Sequence, residues 1–196
     1  LVDADRFDLD VSLAATAPTR SRDNNARAGM PDLAPTFEIG PNANFTLARG
    51  PGWKLQARLP VRAAFTFESD PRSIGWLATP NLNLDVHVGG WHVGVLGGAV
   101  FASRRFNGYF FDVPMAYATA ARPAYSAPGG ASGWRLVSGA SRRVGAWWLG
   151  AFVIGDSVRH ARFEPSPLVR RHETLAFGVA FSYIFAASST QVRDED

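Results

Sequence analysis

Gly155-Asp156-Ser157-Val158 has the residue types of the nucleophile block of a GDSL-type hydrolase. Such a block performs acyl transfer only when a histidine base and an acid stand within hydrogen-bond reach. The four histidines, His87, His92, His160 and His172, have no spacing that resembles a triad or a zinc motif. Gly, Asp and Ser are equally ordinary where a strand gives way to a loop. His87 reads as an interior strand residue, and His160 and His172 as loop residues. The chain contains no cysteine, which excludes disulfides and thiolate metal sites and tolerates an oxidising compartment. No segment requires a cofactor, and the expectation is a protein that is not an enzyme.

A second set of chemically active side chains is spread along the chain at alternate positions: Asp8, Asp10, Glu38, Lys54, Arg58, Arg62, Asp85 and Arg135. Both signs are present. They read either as a selectivity lining or as an interior network of paired charges filling a narrow bore. The cost of an unpaired interior charge favours the second.

The elements that carry these residues are strands. Trp53, Leu55, Ala57, Leu59, Val61, Ala63, Phe65 and Phe67 alternate without a slip against Lys54, Gln56, Arg58, Pro60, Arg62, Ala64, Thr66 and Glu68. A period of two puts one set on each face of a strand. The run exceeds the usual soluble strand of about 5 to 6 residues and suits a tilted membrane-spanning one of about 9 to 11. Seven further segments agree. Phe7 to Leu13, Phe37 to Leu47, Ile74 to Val88, Trp91 to Phe101, Trp134 to Arg142, Trp147 to Gly155 and Leu175 to Phe185 are the other candidates. Ile74 is assigned to the outward face with Trp76, Ala78 and Leu82. In the last strand, Leu175, Phe177, Val179, Phe181, Tyr183 and Phe185 alternate with Ala176, Gly178, Ala180 and Ser182. One face suits hydrocarbon and the other a crowded interior. Pro41, Pro60 and Pro80 each remove a ladder donor, so bulges or breaks are expected there.

Short turns at 3 to 6, 49 to 52, 89 to 90 and 144 to 146 alternate with longer loops at 18 to 35, 104 to 132 and 156 to 173, and only 69 to 73 is a short member of the second set. That asymmetry, with tryptophans 53, 76, 91, 134, 147 and 148 near strand ends, predicts an antiparallel transmembrane β-barrel with short periplasmic turns. About eight strands leave room for side chains only. A net charge of +3 over 196 residues, with signs interspersed, gives nucleic-acid binding no support. The 104 to 132 loop is the candidate interaction surface. It carries Arg104, Arg105, Phe106, Tyr109, Phe110, Phe111, Tyr117, Arg122 and Tyr125, residue types that anchor interfaces. The alternative is that its aromatics fold back and plug the mouth.

Phe106-Asn107-Gly108-Tyr109-Phe110-Phe111-Asp112-Val113, Ala116 to Tyr125 and Gly129-Gly130 resemble the long-loop signature of the MipA/OmpV family. Gly133-Trp134-Arg135-Leu136, Trp148 to Phe152, Ser166 to Arg171, Gly29 to Leu33 and Leu59 to Phe65 extend the likeness over nearly the whole chain. The resemblance implies an outer-membrane barrel of a Gram-negative cell, in contact with outer-membrane lipid. It also implies a scaffold role joining a lytic transglycosylase to a murein synthase in peptidoglycan synthesis and turnover. Other members are described as antigens or adhesins, so a surface adhesin or narrow solute channel stands as the alternative. Residues 1–185 are expected to form one barrel domain followed by a polar tail, 186–196. Leu1-Val2 reads as a strand end entering a turn, and an even number of preceding strands is expected.

Overall fold

The computed structural model describes residues 3–4 and 6–185. In chain order the strands are β1 (Asp3–Ala4), β2 (Phe7–Thr16), β3 (Thr36–Gly50), β4 (Trp53–Thr66) and β5 (Ser73–Ala78). They continue as β6 (Asn81–Val88), β7 (Trp91–Ala102), β8 (Gly130–Val144), β9 (Trp147–Ser157) and β10 (Glu173–Tyr183). The polar tail lies outside the described residues. All ten strands join one antiparallel sheet in sequence order, with β5 and β6 sharing a single lane between β4 and β7. The lane breaks at Thr79-Pro80, where the ring removes a donor. There Thr79 N–H donates to the Pro60 carbonyl, and Ala99 N–H to that of Pro80. The β3–β4 ladder likewise skips Gly40 and Pro41, and Leu47 bulges out of register.

The two faces of the sheet are the reverse of a soluble protein's. Along β4, Gln56, Pro60, Arg62, Ala64 and Thr66 are buried, while Leu59 and Val61 are exposed. Val11, Ile39, Phe45, Leu82 and Leu136 continue the exposed apolar face, and Phe177 on β10 is 83% exposed. Hydrocarbon is the solvent that makes such a surface favourable. Trp53, Trp91 and Trp147 are exposed at the short-turn end, and Trp76 and Trp134 toward the other. Trp148 departs from this girdle. Strict alternation after Trp147 turns it inward, where it lies over Gly150 beside His92 and Gly139.

Two further expectations change. Ile74 is buried inside rather than outward, because the β4–β5 ladder shifts register between Ala64 and Phe65. Gly75, at φ +114, makes that irregularity possible. The 104 to 132 segment is not all loop: its start forms a helix, α1 (Arg104–Phe111), and its last residues already belong to β8. The Ser103 side chain caps α1 by accepting from Phe106 N–H at 3.2 Å. Phe106, Tyr109 and Phe110 then lie on one helix face and pack on buried Ala64, Ile74, Leu77 and Ala102. The opposite side, through Phe111, stacks on Phe163 at 3.9 Å.

Those contacts require a curled sheet. Tyr109 donates its hydroxyl to the Ala34 carbonyl before β3, and Ser166, beyond β9, donates to the Phe111 carbonyl. In a flat sheet β3 and β9 would lie five strand spacings apart, about 24 Å, yet one helix of about 12 Å meets the loops of both. Among the described residues no ladder joins β10 to β1 or β2, so the sheet retains two edges.

Candidate functional site

The interior begins as a polar floor. Gly40 on β3 lies between Ser12 on β2 and Arg62 on β4, and a Cβ there would run into the backbone of Val61 and Arg62. Across that gap Arg62 donates Nε–H to Glu38 Oε2 at 2.9 Å and a second N–H to Ser12 Oγ at 3.0 Å. Both charged side chains are about nine-tenths buried, at 10% and 7% exposure. Asn44, buried, donates to Asp8 and Asp10. Arg58 donates to Gln56 at 2.7 Å and to Asp85 at 3.2 Å. Arg135 grips Asp156 through Nε and Nη2 at 2.6 and 3.2 Å, straight across the β8–β9 ladder. Of the interior charges read from the sequence, Lys54 alone makes neither an ion pair nor a side-chain hydrogen bond among the described residues.

The long-loop end is closed by packed loops. Arg122 is buried and donates to the Tyr117, Ala26 and Ala28 carbonyls, sewing the 104–129 segment to the 18–35 loop. Arg27, missed in the sequence, does the reverse, donating to the Phe110 and Pro31 carbonyls at 3.2 Å. Burial pulls its guanidinium below the ordinary arginine value. Burial also raises the Tyr109 phenol, which keeps the proton it donates to Ala34. At the loop's edge the Ser21 N–H donates to Asp32 at 2.7 Å and holds that carboxyl below its usual range. Phe106, Tyr109, Phe110, Phe111, Tyr117 and Tyr125 are all partly buried in this layer, whereas Arg104 and Arg105 remain exposed.

The serine block is otherwise engaged. Asp156 is bound by Arg135, and Ser157 Oγ accepts from Arg159 N–H at 3.3 Å. His160 N–H and His172 Nε2 both turn to Glu164, at 2.8 and 3.3 Å. Among the described residues no histidine hydrogen-bonds Ser157. His87 and His92 meet at the short-turn end instead, opposed across the β6–β7 hairpin with rings stacked at 4.3 Å.

An apolar exterior, a hydrogen-bonded polar interior and a loop-packed end define the class: an antiparallel strand protein of the outer-membrane kind. No curated protein and no solved structure matches the chain. The chain belongs to the family described as MltA-interacting protein MipA, whose model matches residues 1–185. That family is one of outer-membrane β-barrels that act by interaction, not an enzyme family.

Proposed function

We propose that this protein is a β-barrel of the Gram-negative outer membrane that works as a scaffold. It holds a murein-cleaving lytic transglycosylase, and with it a murein synthase, by protein contact. The family's name supports the first partner. The observation that carries the reading is the filled long-loop end, where α1 and Phe106, Tyr109 and Phe110 occupy the bore. A bore stopped on one side is ill suited to solute passage. Contact surfaces then remain at the turns around Pro51, Gly89-Gly90 and Gly145, on the side that faces the periplasm in outer-membrane barrels. The interior charges other than Lys54 serve this role as hydrogen-bonded filling that fixes the barrel's shape.

The test is direct. The protein, folded in detergent and immobilised, is exposed to purified MltA-type lytic transglycosylase and to a bifunctional murein synthase. Saturable binding of the transglycosylase supports the scaffold; retention of neither enzyme refutes it. A second reading, an adhesin, draws on the exposed Arg104, Arg105 and Met115 of the long-loop layer. Bacteria carrying R104E and R105E would then adhere less to host cells, and unchanged adhesion sinks that reading.

A further inference from the structure

The short-turn end holds a cavity of about 900 Å³, lined by Arg49, Lys54, Arg58, His87 and His92 around one carboxylate among the described residues, Asp85. Its size is that of a small-molecule site. Asp85 is already shared: Oδ2 accepts from Arg58 and Asn83, and Oδ1 lies 3.5 Å from His92 Nε2. Arg49 and Lys54 stand directly opposite each other across the β3–β4 ladder. Like charges so placed destabilise a sheet. Lys54 is also opposite Asp85 on β6, yet Asp85 pairs with Arg58, and neither Arg49 nor Lys54 forms an ion pair among the described residues.

From this we infer that the mouth is a binding site for a small ligand carrying a carboxylate or phosphate group, entering from the short-turn side. The oxyanion sits between Arg49 and Lys54, relieving their repulsion, with the guanidinium fork of Arg49 and the ammonium of Lys54 as donors. The His87–His92 stack lines the same mouth on the neighbouring hairpin, and the Arg58–Asp85 pair, deeper along β4 and β6, sets how far the ligand's body extends inward. The inference stands apart from the scaffold reading, since it asks for no protein partner.

Isothermal titration of the detergent-folded protein with citrate, and separately with inorganic phosphate, tests it. Saturable one-site binding that weakens steeply as salt is raised is the expected result. Citrate alone binding assigns a carboxylate ligand, and phosphate alone a phosphoryl one. The variant R49Q/K54Q should bind at least about tenfold more weakly while unfolding no earlier than the parent, because the opposed charges are gone. R104Q, at the other end, should bind as the parent does. Absence of saturable binding of both probes, or full binding by R49Q/K54Q, overturns the site.

Discussion

Replacing Arg62 by methionine should be the most damaging single change in the interior. The substitution keeps an unbranched stem over Gly40, ending near the position of Nε, and removes both donors. Glu38, 7% exposed, is then left as a charge without its partner, and Ser12 Oγ loses its donor. Arg135 cannot substitute, because its fork is held by Asp156. Breaking a buried pair from one side costs about 3 to 5 kcal/mol. E38M should cost a similar amount by stranding the guanidinium. The double variant R62M/E38M removes both desolvation penalties and should recover most of the loss, ending near the parent or up to about 4 kcal/mol above it. Urea unfolding in detergent, followed by far-UV circular dichroism, yields the three differences and the coupling between the sites. Single variants each costing less than about 1 kcal/mol, the worth of a solvated surface pair, would refute the claim that this pair is desolvated.

The plug should be separable from the sheet. F106A/F110A removes its two inner rings, so single-channel conductance in planar bilayers should rise above the parent's; equal conductance would mean that the bore is blocked elsewhere. R122Q forfeits the fork to the Tyr117, Ala26 and Ala28 carbonyls, and limited trypsin digestion should then cleave the 18–35 and 104–129 segments faster while the strands stay intact. Tyr109 contributes a pH dependence with a definite sign. Burial raises its folded-state value above the ordinary one of 10.0, so its stabilisation is complete below that pH and is lost as pH rises through the folded value. Protease resistance of the loop layer should therefore fall above about pH 10 in the parent, and this component should vanish in Tyr109→Phe.

The strands were legible because period-two alternation is a local signal repeated over ten or more residues, and β4 shows it at every position. What defeated the alternation was one irregular glycine: a slip at Gly75 inverts the face of Ile74, and only the partner strand reveals it. Helix α1 was missed although its signal was present. Phe106, Tyr109 and Phe110 fall at i, i+3 and i+4 behind a capping serine, the spacing of a helix face, but a helix of 8 residues repeats that period for little more than about two turns. The clasp of Arg122 was not legible at all. Its carbonyl acceptors include Ala26 and Ala28, more than ninety residues away, and a backbone carbonyl leaves no trace in residue type. The choice of Arg58 over Lys54 as Asp85's partner was hidden for a related reason. Register places Lys54 opposite Asp85, but side-chain reach decides which cation makes the bond.

The interior is graded along its length, and the gradient explains why one end is filled while the other holds a polar cavity. The inward positions of β4 run Lys54, Gln56, Arg58, Pro60, Arg62 and then Ala64; those of the neighbouring lane run Asp85, Asn83, Asn81 and then Leu77. On these two lanes charge ends at the level of Arg62. Beyond it the wall is small or aliphatic, which is what the face of α1 needs, because burying Phe106 and Phe110 against charged side chains would strand those charges. Below it the wall is hydrogen-bonded at almost every position, and the surplus of positive charge collects at Arg49 and Lys54 on the rim. A conduit would carry its polar lining from rim to rim. Here the Glu38–Arg62 pair marks the boundary between an apolar seat and a wet vestibule, so a perturbation of that pair acts on the plug above it and the anion site below it together.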